Sequence, residues 1–152
     1  MGGFIVLPGN GDGTFKAPIV TAISSSSTAP TTLNQPQILS TTDLNGDGKA
    51  DLLVIVPSFT IATGATTQLE LLLGNGDGTF KAPATIATAA NPGLIPGEIP
   101  CVLADFNKDG KLDIGCLGET SASQAELAIS LGNGDGTFAA PTILKMCIRD
   151  RR

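Results

Sequence analysis

The chain alternates short apolar runs with polar, glycine-rich segments. Residues 52–56 read LLVIV and residues 114–117 read IGCL, and each run ends at a residue that interrupts regular structure, Pro57 or Gly118. Runs this short and rich in β-branched side chains are typical of buried strands rather than of amphipathic helices. The pattern therefore predicts an all-β protein.

One polar segment occurs three times, as LPGNGDGTFKAP, LLGNGDGTFKAP and SLGNGDGTFAAP at residues 7–18, 72–83 and 130–141. Its Asn-Gly-Asp-Gly core tolerates positive φ, which a primed hairpin turn requires. We expect the phenylalanines that follow to be large core anchors: Phe15, Phe80 and Phe138. A lone Asp between glycines offers too few oxygens for a cation, so a plain turn is the preferred interpretation for Asp12, Asp77 and Asp135.

A second repeated segment reads DLNGDGKAD at residues 43–51 and DFNKDGKLD at residues 105–113. Alternate positions of a tight loop can turn their oxygens inward, and Ca²⁺ takes about 6 to 8 oxygen ligands. The predicted calcium ligands are side-chain oxygens at positions one, three, five and nine and a backbone carbonyl at position seven: Asp43, Asn45, Asp47, Lys49 and Asp51, then Asp105, Asn107, Asp109, Lys111 and Asp113.

The residues that follow these loops decide which kind of calcium site they resemble. An EF-hand needs a Glu at its twelfth position, where this chain has Val54 and Cys116. The alternative is an acidic turn without metal. Three carboxylates in one short loop repel each other, by about 1 to 4 kcal/mol per close pair, which favours a bound cation.

The two segments alternate along the chain, and the two Asp loops lie 62 residues apart. One unit is then about 60 residues, in the order strand, Asp loop, strand, variable loop, strand, Asn-Gly-Asp-Gly turn, strand. This order predicts a four-stranded antiparallel meander in each unit.

The alternation of DxNxDGxxD with LGNGDGTF resembles the FG-GAP and VCBS repeats of calcium-binding β-propellers, the architecture also seen in the head of integrin α subunits. The resemblance covers residues 3–144. It implies that each unit is one propeller blade, that calcium lies in the loop between its first two strands, and that the protein is secreted or displayed on the cell surface. The expected fold is a β-propeller fragment of about two and a half four-stranded antiparallel blades.

The repeats divide the chain into four parts. Residues 1–34 are expected to form a truncated half blade with a Ser/Thr-rich loop, and residues 35–93 and 94–144 one blade each. The tail at 145–152, KMCIRDRR, is what a transposase adaptor of sequencing libraries encodes, so we interpret it as a cloning artefact. The remaining blades of the parent protein are then expected partners.

Composition argues against catalysis and against anionic partners. The chain has no His, Tyr or Trp, so a Ser or Cys nucleophile would lack its usual imidazole partner. The other carboxylates, Glu70, Glu98, Glu119 and Glu126, are expected on solvated faces. With 14 acidic residues against 9 basic ones and a net charge of −5, the chain should repel nucleic acid and anionic membranes. No apolar stretch is long enough for membrane insertion.

Cys101 and Cys116 lie on the two strands that flank the second Asp loop. Buried, reduced core thiols are their expected use. A cross-strand disulfide in an oxidising compartment is the alternative, and sequence spacing alone does not decide between them.

These observations predict a calcium-binding propeller segment that acts in structure and adhesion or in binding a glycan or surface protein. The alternative is an accessory, non-catalytic propeller of an extracellular polysaccharide-degrading enzyme. Phe is the only aromatic residue type in the chain, so the sequence offers no evident stacking platform for sugars.

Overall fold

The structure, a computed structural model, describes residues 3–23, 36–60, 64–90, 101–119 and 125–145. These residues form ten strands: β1 Gly3–Val6, β2 Ile19–Ala22, β3 Gln37–Thr42, β4 Asp51–Thr60, β5 Gly64–Leu72, β6 Ala84–Ala90, β7 Cys101–Ala104, β8 Asp113–Glu119, β9 Ala125–Ser130 and β10 Thr142–Lys145. They contain no helix, and so no helix that could span a membrane.

The strands form three antiparallel sheets. β1 and β2 pair as the first sheet, β3 to β6 follow one another in the second, and β7 to β10 do so in the third. The second and third sheets are four-stranded meanders in sequence order, each with its Asp loop between the first two strands. The predicted all-β fold of four-stranded antiparallel blades is confirmed. The first sheet contains only the counterparts of β5 and β6.

β4 is longer than the apolar run predicts, because it continues through Pro57 to Thr60. Pro57 pairs with Thr67 of β5, whereas the pairing of β4 with β3 ends at Ile55. A proline is tolerated where a strand has a neighbour on one side only, since its missing N–H then costs no ladder hydrogen bond. Pro57 therefore does not end the strand as the sequence suggested.

The core consists of two clusters, one between the first and second sheets and one between the second and third, and β4 contributes side chains to both. Leu52, Val54 and Val56 are buried in a cluster with Ile23, and Phe4 of the first sheet packs against them. The alternate side chains, which include the fully buried Leu53, join a second cluster with residues of the third sheet such as Cys101, Ile114 and Leu103. Burying one such leucine contributes about 1.5–3 kcal/mol. The second sheet is therefore covered on both faces.

The phenylalanines after the repeated turns pack on the preceding sheet. Phe80 joins the cluster between the first and second sheets, with its ring centroid 5.8 Å from that of Phe4 in an edge-on contact. Phe138 joins the cluster between the second and third sheets. Phe15 is 64% exposed, so its prediction as a core anchor is wrong for the described residues. No described strand precedes the first sheet to receive its ring.

Glu70 departs from the expectation of a solvated face. It lies on β5, opposite Val54 of β4, and none of its side-chain surface is exposed. Its counterpart on β9, Ala128, is apolar. Glu126 is half-buried, and Glu98 lies outside the described residues.

Candidate metal centre

The two Asp loops occupy corresponding positions, one between β3 and β4 and the other between β7 and β8. In both, the ninth residue of the loop is the first residue of the following strand, Asp51 in β4 and Asp113 in β8. Position nine therefore belongs to the sheet, whereas positions one to eight form the connection.

The first loop is folded around the carboxylate of Asp43. One oxygen of this carboxylate accepts hydrogen bonds from the backbone N–H groups of Gly46 at 2.7 Å and Asp47 at 3.1 Å, and the other accepts one from Gly48 at 2.8 Å. Gly46 and Gly48 have φ values of 75° and 80°, a region that glycine adopts without strain. Gly48, at position six of the loop, therefore makes a bend that a side chain would oppose.

The oxygens at positions three and five also turn into the first loop. The side-chain oxygen of Asn45 accepts the N–H of Asp47 at 3.0 Å, and a carboxylate oxygen of Asp47 accepts the N–H of Lys49 at 3.0 Å. The Lys49 ammonium lies 3.4 Å from the other Asp47 oxygen, in an exposed ion pair. Such pairs contribute little to stability, so a divalent cation could displace this ammonium at low cost.

The second loop repeats this arrangement. Asp105 accepts the backbone N–H groups of Asp109 at 3.1 Å and Gly110 at 2.8 Å, and Asn107 accepts that of Asp109 at 3.0 Å. Lys108 stands where the first loop has a glycine and keeps a positive φ of 63°. The backbone path is thus retained at a residue for which this conformation is unfavourable.

Hydrogen bonding shifts the acidity of the fifth-position carboxylates. The backbone N–H of Lys111 and then the Asn107 amide hold the pKa of Asp109 below its ordinary value. Partial desolvation raises the pKa of Asp47, but the Lys49 N–H, the Asn45 amide and the Lys49 charge outweigh it, and the pKa is also lowered. Both side chains are therefore anionic at neutral pH.

The ninth residues have a role that sequence reasoning missed. Asp51 is fully buried, and its two oxygens accept the N–H groups of Leu44 and Gly74, each at 2.8 Å. Asp113 does the same with Phe106 at 2.9 Å and Gly132 at 2.8 Å. Each carboxylate thus ties its Asp loop to the Gly-Asn-Gly-Asp-Gly turn of the same sheet.

This bridge explains why the two motifs occur together. A Cβ on Gly74 would collide with the backbone oxygen of Ala50, and one on Gly132 with that of Leu112, so the turn must begin with glycine to reach the loop. The aliphatic stem of Lys49 passes 3.1 Å from where a Cβ on Gly76 would lie. The signal was present in the sequence as the fixed alternation of DxNxDGxxD with LGNGDGTF.

The Asn-Gly-Asp-Gly segments have the same geometry in all three copies. In the second, Asn75 donates its N–H to the Thr79 carbonyl at 2.9 Å, and an Asp77 oxygen accepts both the N–H and the hydroxyl of Thr79, at 2.9 and 2.6 Å. The hydroxyl and then the N–H lower the pKa of Asp77. Gly76 and Gly78 have positive φ, as expected. An aspartate between them separates the two positive-φ residues, so this is a longer loop than a two-residue primed turn.

The third sheet contains a disulfide between Cys101 of β7 and Cys116 of β8, which are directly opposite each other in the strand register. The expectation of reduced core thiols is therefore wrong, although Cys101 is buried in the core cluster as predicted. The cross-strand geometry became evident only with the register, because the two cysteines are 15 residues apart around the second Asp loop.

The donor chemistry of the loops fits calcium, and their side chains are held in place by backbone amides. Within the described part of the chain, no three Asp, Glu, His or Cys side chains converge on one point as a ready-made metal cage. Each predicted ligand is nevertheless a hard oxygen, and a carboxylate oxygen that accepts one N–H keeps a second lone pair. In each predicted site, the ligands at positions one to seven thus lie on one short connection between two strands. The aspartate at position nine is buried at the start of the second of these strands.

Comparison with known proteins supports the relationship that the motifs suggest. The family model described as FG-GAP-like repeat matches residues 43–116, which span from the first Asp loop to the middle of β8. No curated protein and no solved structure was found to match the chain. The matched segment contains both Asp loops and the second repeated turn, so residues 43–116 belong to the FG-GAP-like repeat family.

Proposed function

We propose that this chain is a calcium-binding propeller segment of a secreted or cell-surface protein. In the first site Asp43, Asn45 and Asp47 supply side-chain oxygens, Lys49 supplies its backbone carbonyl, and Asp51 closes the set from the sheet. In the second site, the corresponding ligands are Asp105, Asn107, Asp109, Lys111 and Asp113. The observation that carries the proposal is that both loops fold around inward-facing oxygens at the first, third and fifth positions.

A bound cation would cancel the repulsion among the loop carboxylates and stabilise the connection between two strands of a sheet. Extracellular calcium modules have dissociation constants of about 0.1–1 mM. At about 1 mM free calcium and a dissociation constant of about 0.1 mM, each site adds about 1.4 kcal/mol to folding stability. Two sites would then supply a substantial share of the stability of a small domain.

The disulfide supports an extracellular location. Disulfides persist in oxidising compartments and are rare in the cytosol, where thiols are kept reduced. The Cys101–Cys116 bond therefore agrees with the secreted or surface location that the family resemblance implies. Free calcium is also high enough in that compartment to occupy sites of modest affinity.

We propose a structural and adhesive role rather than a catalytic one, in which the sheets present their loops to a glycan or to a surface protein. The absence of His, Tyr and Trp from the sequence leaves few side chains for acid–base chemistry. The net charge of −5 disfavours nucleic acid as a partner.

Thermal unfolding in calcium and in a chelator tests the calcium proposal. We expect the Tm to rise by several degrees between excess EGTA and about 1 mM free calcium, and to rise further at about 10 mM, since stabilisation grows with ligand concentration. Magnesium at equal concentration is the matched control, because it demands a smaller, octahedral site. A Tm that is the same in EGTA and in calcium would refute the proposal.

A further inference from the structure

The first Asp loop has an apolar side that faces the third sheet. Leu44, between the predicted ligands Asp43 and Asn45, is only 6% exposed and belongs to the core cluster that the second and third sheets share. Its counterpart in the second loop, Phe106, is 45% exposed. Among the described residues, therefore, only the first loop inserts a side chain between two sheets.

The turn of the third sheet also lies close to the first loop. Gly136 is buried, and a Cβ built on it would lie 3.2 Å and 3.3 Å from the methyl groups of Leu73 and Leu71 and 3.7 Å from the Cβ of Asn45. The turn at residues 133–137 thus lies at the end of β5, close to the third residue of the loop. Asp43 and Asn45 are half-buried, whereas Asp105 and Asn107 of the second loop are exposed.

From these contacts we infer that cation binding by the loop at 43–51 and docking of the third sheet on the second are thermodynamically linked through Leu44 and Asn45. This inference rests on the proposed calcium function and goes further, because it assigns the first loop a role between sheets as well as within one. The loop at 105–113 has no such link to another described sheet.

The physical basis is that both events order the same short backbone segment. A cation held by Asp43 and Asn45 fixes the residues on either side of Leu44. Cation binding and sheet docking therefore share a single entropy cost, that of ordering Leu44. Docking of the third sheet in turn holds Leu44 and Asn45 in place before the cation arrives. Linkage is reciprocal, so weakening the interface at this point must weaken cation binding by the same factor.

Two glycines provide a matched pair of variants. Gly136 and Gly13 occupy the same position of the repeated turn, with φ values of 85° and 90°, so alanine meets similar backbone strain at each. A Cβ on Gly13 would meet nothing within 4 Å, whereas one on Gly136 would be crowded by Leu71 and Leu73 beside the first loop. Gly136→Ala therefore perturbs the interface beside the first loop, and Gly13→Ala strains an equivalent turn of the first sheet.

The experiment uses the full chain with Asp105→Asn and Asp109→Asn, which removes two carboxylates of the second loop and leaves the first loop to bind calcium. Calorimetric titration with calcium chloride should show that Gly136→Ala weakens binding by about fivefold or more, the lower end of typical coupling. Gly13→Ala should change it by less than about twofold, because sites without shared partners behave independently. Equal weakening by both variants, or by neither, would overturn the inference.

Hydrogen exchange provides a readout that needs no glycine variant. In the same two-Asn chain, calcium should slow amide exchange at residues 131–139, which contain the backbone bonds from Asn133 to Thr137 and from Ala139 to Leu131. The equivalent turn at residues 8–16 should be unaffected, since a Cβ on any of its three glycines would meet nothing within 4 Å, a loop residue included. Unchanged exchange at 131–139 in a chain that binds calcium would refute the link alone. A chain that binds no calcium at its first loop would refute the proposed function as well.

Discussion

Asp51→Asn tests the bridge between the Asp loop and the repeated turn most sharply, because the side chain keeps its shape and loses only an acceptor. The Asp51 carboxylate is fully buried and accepts two backbone N–H groups, from Leu44 and Gly74, at 2.8 Å each. An asparagine can accept only one of them with its single oxygen. Its NH₂ group then faces the other N–H, donor against donor.

The expected loss follows from these two contacts. A hydrogen bond to a charged group contributes about 1.5–3 kcal/mol, and a buried donor left without a partner costs a comparable amount. We expect Asp51→Asn to lower the free energy of unfolding by about 2–3 kcal/mol. For a chain of this length, that corresponds to a fall in Tm of about 5–10 °C.

The assay is urea and thermal unfolding in excess EGTA, so that cation binding does not contribute. Asp47→Asn is the matched control: Asp47 is exposed, and an asparagine there retains an oxygen for the Lys49 N–H. In EGTA this control should unfold at the wild-type midpoint. If Asp51→Asn also unfolded at the wild-type midpoint in EGTA, the bridging role of the ninth position would be wrong.

Three further outcomes are expected. Reducing the disulfide between β7 and β8 should destabilise the chain by about 3 kcal/mol, from the entropy of a 15-residue loop, and a Tm unchanged by reductant would contradict this. Gly74→Ala should cost about 1–3 kcal/mol in urea unfolding, because its Cβ would collide with backbone, whereas Gly9→Ala at the same repeat position meets nothing within 4 Å and serves as control. Thr79→Val should raise the pKa of Asp77, measured by carboxyl ¹³C NMR, because it removes the 2.6 Å hydroxyl bond. Since the folded pKa of Asp77 is depressed, its contribution to stability is present above the unfolded value of about 3.9 and is lost as pH falls through the folded value. The difference in stability between the wild-type and Thr79→Val chains should therefore narrow at low pH, down to the part that comes from the lost bond between the Asn75 amide and the Thr79 hydroxyl. A difference that did not change with pH would count against this cause.

Much of the fold could be predicted because the repeats carry it locally. Apolar runs of strand length, glycines where φ is positive and a fixed motif order specify a four-stranded meander without reference to distant residues. The Asp loops could be located for the same reason. Their inward oxygens and the glycine at position six follow from the spacing within nine residues.

The departures from expectation all depend on neighbours that sequence spacing does not reveal. Phe80 packs on the sheet that precedes its own, whereas Phe15 is exposed because no described sheet precedes the first one. Glu70 is buried because its strand lies between two sheets. The disulfide could be predicted only from the strand register, in which Cys101 and Cys116 are directly opposite each other.

The bridging role of Asp51 was hidden for a related reason. A ninth-position aspartate has the same spacing in the sequence whether or not its oxygens also accept backbone N–H groups. Only the approach of the turn at Gly74, 23 residues away in sequence, shows that both oxygens accept N–H groups. Contacts between motifs of one repeat are therefore the part of this site that local pattern reasoning could not supply.

Calorimetric titration of the full chain with calcium tests the central claim most directly, with Asp47→Asn and Asp109→Asn as single-site variants. The account predicts two bound ions for the wild-type chain and one for each variant, with each loop losing its own site. A wild-type chain that binds no calcium at millimolar concentration, or variants that each retain two ions, would contradict it.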